Sequence, residues 1–353
     1  MTVKKNLLAL QYDYLQRFNQ AKVKAERIFP LHERERQLRL SLINNARMLN
    51  QVVKLLQMPN INLILKNIET QIQTTKIAKY RNLLKEVQKK LTNGLIDDVD
   101  KVGITELADP SQNLTWVERL RPKANIIITK NLQPIIPQVL ANKQRIILHV
   151  TCTGFGGTPL EPGVPPAPVQ IMATKQLIQL GFPVGQIVLR LDPIIFVGNI
   201  KDVMLHDTVM QYFADMGIKR CRYSFLDQYD FIKPRLTMIG IAPERGFTYP
   251  KSTIQQHSQH LQEKWGSSFH LEACCEETQH KQACISQMDI EILKQNASIT
   301  GADIKGLNNL QLIGCKGSRR LCSCPLNKFE LMRAVPGQCS LNCSYCFWSK
   351  NKY

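Results

Sequence analysis

From about residue 120 onward, short apolar runs alternate with stretches of helical length, and this alternation limits the possible folds more than any other feature of the chain. Ala124 to Thr129, Arg145 to Val150, Gln186 to Leu191, Arg220 to Phe225 and His270 to Cys274 are expected as strands buried on both faces, with Gln311 to Gly314 as a further candidate. Between them, Val169 to Leu180, Asp202 to Met216, Ser252 to Lys264 and Gln287 to Asn296 have helical length and periodicity. Strands joined through helices pair in parallel, because a crossover returns the chain to the same end of the sheet. With so many units and no nucleotide-fold glycine signature, the expected fold is α/β, a partial or closed parallel (β/α) barrel of the TIM kind. Sites in such folds gather at the carboxyl ends of strands, where Thr151, Thr153, Asp192, Asp227, Glu272, Cys275 and Glu276 fall.

Residues 1–100 read differently. Leu8, Tyr12, Leu15 and Phe18 form one apolar stripe and Leu42, Ala46, Leu49, Val53 and Leu56 another, punctuated by Pro30, Pro59 and Asn93-Gly94. This is the pattern of an all-α region of about three antiparallel helices. Three parts follow: a basic helical region over 1–100, a barrel-like domain over 101–310 and a cysteine-rich segment over 311–353. The formal charge of +18 is concentrated at the two ends, roughly half of it in the first hundred residues and about a third after residue 300. Basic ends suit a polyanionic partner, and Lys76, Lys79, Arg81, Lys85, Lys89 and Lys90 are the candidate nucleic-acid face; a solvated scaffold helix gives the same count. The apolar stretch Leu7 to Leu10 is too short for a signal peptide and no run approaches a membrane span, so a cytoplasmic protein with no membrane partner is expected. Eleven cysteines in a reducing compartment point to metal ligation rather than disulfides.

Their spacing sharpens this. Cys339, Cys343 and Cys346 stand at C-x3-C-x2-C, with Tyr345 before the third thiol. Three thiolates can hold three irons of a cubic cluster and leave the fourth iron open, whereas an electron-transfer cluster normally takes four cysteines. A zinc site completed by Cys324 or a histidine is the alternative. Cys322 and Cys324, as C-x-C, together with Cys275 and Cys284 form a second set of four, which suits either structural zinc or a second iron-sulfur cluster. Cys274, Cys315, Cys152 and Cys221 stand outside these spacings and are read as buried apolar residues.

The C-x3-C-x-aromatic-C run resembles the cluster motif of the radical S-adenosylmethionine superfamily, although there it usually opens the barrel. Read in order with Ile128-Thr129-Lys130-Asn131, Leu189-Arg190-Leu191-Asp192-Pro193-Ile194, Tyr223-Ser224-Phe225-Leu226-Asp227-Gln228-Tyr229, Cys275-Glu276, Cys284-Ile285 and Arg320-Leu321-Cys322-Ser323-Cys324, the chain from about 120 to 348 resembles the bacterial family called domain of unknown function 1848. A Ser-Arg-Arg-Thr-Asp-like opening expected of that family is replaced here by the basic helical region. Gly156-Gly157-Thr158 is the nearest match to the superfamily's Gly-Gly-Glu element, and the reading favoured for it is an ordinary glycine-rich turn.

The resemblance implies a radical-S-adenosylmethionine-like barrel with a [4Fe-4S] cluster on Cys339, Cys343 and Cys346, S-adenosylmethionine on the open iron and an external electron donor. Tyr345 and Phe347 would shield the cluster. Arg190, Asp192, Asp227 and Glu276 are then the candidates for cofactor or substrate contact, with structural ion pairing as the competing role of such residues. Basic ends combined with such chemistry suggest an enzyme acting on nucleic acid; a non-enzymatic binding or assembly protein with structural metal sites is the rival reading. Neither substrate nor oligomeric state is written in the sequence.

Overall fold

The computed structural model describes residues 100–196, 201–302, 304–312, 321–333 and 337–349. The helical region expected over 1–100, apart from its last residue, and Cys315 lie outside the described residues. Residues 99–312 and 317–353 form one compact unit.

Its centre is an eight-stranded parallel sheet. In chain order the strands are β1 Val102–Ile104, β2 Asn125–Thr129, β3 Ile146–Thr151, β4 Ile187–Ile194, β5 Arg220–Phe225, β6 His270–Cys274, β7 Lys281–Gln282 and β8 Lys328–Glu330. They pair in the order β7-β6-β5-β4-β3-β2-β1-β8, every pair parallel, and the sheet curls into a half-barrel. Among the described residues the two edges, β7 and β8, do not pair, so what is described is the partial form of the expected barrel. The five expected strands are present, β5 and β6 with the expected bounds. Gln311 and Leu312 are irregular, and the rest of that strand candidate lies outside the described residues. The edge beside β1 is formed by β8, which pairs Gly103 with Phe329.

The helices are α1 Thr115–Glu118, α2 Ile136–Ala141, α3 Ala167–Gln179, α4 Lys201–Asp215, α5 Ile232–Met238, α6 Lys251–Trp265 and α7 Gln287–Thr300. No helix among the described residues is long and apolar enough to cross a membrane. Side chains alternate across a strand, and the core divides accordingly. Ile127, Leu148 and Leu189 join Ala173, Leu177, Val209, Phe213, Leu261 and the tail residues Leu341 and Cys343 in one apolar cluster. Ile126, Ile147 and Val188 join Ile290 and Leu293 of α7, and Cys274, Cys284 and Cys324, in another.

Toward the carboxyl end the second face becomes polar. His149, Arg190, Arg222 and Glu272 follow the same period of two as Ile147, Val188, Arg220 and Cys274, and all four are buried. Arg220 donates to Glu272 Oε1 (Nε, 2.9 Å) and to Asp289 Oδ1 (Nη2, 2.7 Å), and Arg222 Nε donates to Glu272 Oε2 at 2.6 Å. Asp289 is also the third residue of a capping box, its carboxylate accepting from Ser286 N at 2.7 Å. One buried ion network therefore fixes the start of α7, and Arg222 Nη1 extends it to the Cys284 carbonyl at 2.7 Å. Burial and then the charges of Arg222 and Arg190 push His149 well below its ordinary pKa, so its ring is neutral.

Candidate metal centre

A cavity of about 350 Å³ opens at the carboxyl ends of the strands. Thr129, Lys130, Thr151, Arg190, Asp192, Ser224 and Asp227 line it from the sheet, and Cys339, Cys343, Tyr345, Cys346 and Phe347 line it from the tail. All three tail cysteines thus face one space. Their sulfurs are not as tightly grouped as ligands of a single ion: among the described residues, the donor group lying within 4.8 Å is Glu106, Cys284 and Cys324. Looser spacing suits a cluster, whose irons and sulfides separate the cysteines. The backbone is prepared for anionic sulfur. Trp348 N donates to Cys346 Sγ at 3.4 Å, and backbone N–H groups of Leu341, Asp109 and Asn342 serve Cys339. Burial raises the pKa of all three thiols, so metal must displace protons there.

The tail is pinned to the loop between β3 and α3. Gly163 N donates to Leu341 O at 3.0 Å and Ser344 N to Leu160 O at 2.9 Å, while Ser344 Oγ reaches Pro159 O at 2.7 Å. A Cβ on Gly163 would lie 2.5 Å from Ser340 O and 2.8 Å from Leu341 Cα, so this approach requires glycine. From the opposite side Arg235 Nη1 donates to Cys346 O at 2.9 Å. Gly156 and Gly157 belong to a tight turn in the same loop, with Gly157 at φ 78° and its N–H on Glu161 O at 3.0 Å. Neither lines the cavity, so the turn reading of Gly156-Gly157-Thr158 fits their placement.

That turn presents Glu161, which the sequence alone did not single out. Its carboxylate, 1% exposed, accepts from Lys130 Nζ at 2.8 Å, from Thr153 Oγ1 at 2.7 Å and from the Tyr345 hydroxyl. Lys130 Nζ also stands 5.6 Å from the centre of the Tyr345 ring. Burial opposes the charge on Lys130, but Glu161 and then Cys343 more than offset it and raise its pKa. A fixed cation is therefore held beside the tail thiols.

Of the four residues expected to contact cofactor or substrate, Arg190, Asp192 and Asp227 line the cavity. Arg190 Nε donates to Asp192 Oδ2 at 2.8 Å, and Ser224 Oγ donates to Asp192 Oδ1, so the pair is braced across β4 and β5. Glu276 lies elsewhere: it is buried outside the cavity lining, and its Oε1 accepts from Phe225 N at 2.9 Å. It fixes the end of β5.

Cys275, Cys284, Cys322 and Cys324 also come together, and Cys274 joins them with its Sγ 3.1 Å from Cys284 Sγ. In the sequence Cys274 reads as a small buried apolar residue outside the cysteine spacings, and consecutive residues on a regular strand would point to opposite faces. Cys275 escapes that rule by adopting φ 61°, in the left-handed region. Hydrogen bonds from Cys274 and Cys324 hold the Cys284 thiol well below its ordinary pKa, and those from Cys275 and Cys324 push Cys322 down to about 2.

A curled parallel sheet with clustered cysteines at the carboxyl ends of its strands defines an α/β protein that could hold a metal ion or an iron-sulfur cluster. A family model, Domain of unknown function (DUF1848), matches residues 101–348, most of the chain, and the protein belongs to that family. No curated protein and no solved structure matches it.

Proposed function

We propose that Cys339, Cys343 and Cys346 hold a [4Fe-4S] cluster whose open iron faces the cavity, and that the protein is a radical S-adenosylmethionine-like enzyme. The observation that carries this reading is the convergence of three thiols, too loosely grouped for one ion, on a cavity large enough for a small-molecule cofactor. A reduced cluster of this kind supplies one electron to cleave bound S-adenosylmethionine into methionine and a hydrogen-abstracting radical. The chain's own residues bind and orient. Lys130, held charged by Glu161, offsets the negative charge of the cluster. Arg190, braced by Asp192, offers a guanidinium to a carboxylate, while Asp192 and Asp227 offer carboxylates to an amine or hydroxyls.

The substrate class we propose is nucleic acid. The net charge of +18 supports it, as does the aromatic rim of Tyr229, Phe231 and Phe347 on the cavity, with Phe231 and Phe347 ring centres 5.7 Å apart and Arg235 5.3 Å from the Phe231 ring. The test is anaerobic reconstitution. About four irons and four sulfides assigned to the tail trio, lost in Cys343→Ala, with 5′-deoxyadenosine released on reduction, is the expected result. Zinc alone, with S-adenosylmethionine left intact, would establish a structural metal protein instead.

A further inference from the structure

The second sulfur set is more compact than the first, and it touches the same cavity through one residue. Cys274 Sγ and Cys284 Sγ are 3.1 Å apart, and the donor atoms of Cys284, Cys324 and Glu106 all lie within 4.8 Å of one another. Around a tetrahedral ion with metal–sulfur bonds of about 2.3 Å, neighbouring sulfurs stand roughly 3.8 Å apart. A cubic cluster interposes iron and sulfide and holds its cysteines farther apart, so this spacing suits a single ion. Three cations surround the group. Lys328 pairs with Glu106, Arg222 reaches the Cys284 carbonyl at 2.7 Å, and Arg190 feels the charges of Cys284, Cys274 and Glu106 after that of Asp192. They offset the negative charge that three thiolates and a carboxylate place around a divalent ion.

Glu106 is the donor that belongs to both places, being part of the tight group and of the cavity lining. Cys274, Cys284 and Cys324 are buried, whereas the Glu106 side chain is 28% exposed. Oxygen is also the harder and more readily exchanged ligand beside three soft sulfurs on a zinc-like ion. We propose that Cys274, Cys284, Cys324 and Glu106 form a second metal centre for one tetrahedral divalent ion, with Glu106 as the exchangeable ligand on the cavity side. An anionic oxygen of the cavity's occupant takes the place of Glu106. Cys275, which touches Cys274 and Cys322, and Cys322, which touches Cys324, flank the ligands and lie outside the coordination sphere. The cavity is then bounded by two metal centres of different kinds, and the second does not depend on the chemistry of the first.

The test uses the full chain carrying Cys339→Ala, Cys343→Ala and Cys346→Ala, so that every bound ion reports on the second centre. Loaded with Co2+, this variant should bind one equivalent, with tetrahedral visible bands and thiolate-to-cobalt absorption in the near ultraviolet. Adding Cys274→Ser should weaken binding at least tenfold, and adding Cys275→Ser should leave it unchanged. Adding Glu106→Ala should shift the visible bands, and acetate should shift them back; this partly exposed position keeps the test decisive where Cys274→Ser fails to fold. Folded triple variant without cobalt, undiminished binding after Cys274→Ser, or a Glu106→Ala spectrum identical to its parent would overturn the proposal. None of these outcomes bears on whether the tail trio holds iron.

Discussion

The two sulfur sets are built by opposite means. The tail trio belongs to an irregular loop, held by backbone hydrogen bonds to the β3–α3 loop and by Arg235, and its sulfurs are spread around an open cavity. In the second set Cys274 ends β6, Cys284 is on the loop before α7, Cys324 precedes β8 and Glu106 follows β1, beside a buried ion network that reaches Cys284 through Arg222. Backbone docking tolerates the insertion of a bulky group, while a charged scaffold fixes distances. The difference teaches that metal loading should reshape the first site and should mainly occupy the second.

The largest expected effect breaks the rigid side. Glu272→Ala leaves Arg220 and Arg222 without a shared carboxylate in a fully buried position and should lower stability by about 3–5 kcal/mol, read from the urea midpoint. Metal affinity at the second set should fall with it. An unchanged midpoint would remove the contrast in rigidity. A smaller effect isolates the docked side. Gly163→Ala forces the β3–α3 loop and the tail apart, at a cost of about 1–3 kcal/mol, and should cost iron at the trio while leaving cobalt at the second set. Equal loss at both sites would show that they are mechanically one.

The smallest effect is a pH response on the tail's side of the sheet. Burial pushes His206 and His257 each down to about 4, with ring centres 6.2 Å apart, and His206 packs edge-on against Phe155 of the loop that pins the tail. After that burial, His206 and then His260 lower His257 further, while Asp207 acts in the opposite sense. Both folded-state values lie below the unfolded value near 6.5, so the unfolded chain binds more protons in that window. Stability is complete above about pH 6.5 and is lost as pH falls toward 4, on the order of 1 kcal/mol per ring at pH 6. His206→Phe should flatten this slope between pH 7.5 and 5.5 in urea titrations, and an unaltered slope would clear the pair of the effect.

Much of the scaffold was legible because buried parallel strands and their helices carry long, regular signals, as in Arg220–Phe225 and His270–Cys274. β1 and β8 were not, since three residues hold no periodicity and their pairing is decided by contacts more than two hundred residues apart. Among site residues, the tail thiols announced themselves by spacing. Tyr345 was marked by its place before the third thiol, and Lys130 fell in a family fragment without a role of its own; Glu161 had no local mark, and the three meet only in the fold. Cys274 was set aside because it stands outside the cysteine spacings and a lone strand cysteine reads as an apolar residue, and Glu106 has no thiol neighbour in sequence to betray it.

The pairing of β1 with β8 joins the two extremes of the described unit, and β8 lies just ahead of the tail thiols. A contact of such long sequence separation is closed against the entropy of the whole intervening chain. Assembly of the thiol-lined chamber is thus a report on completed folding: reagents that trap free tail thiols should discriminate finished molecules from partly organised ones, and inorganic cargo delivered too early would find no receptacle.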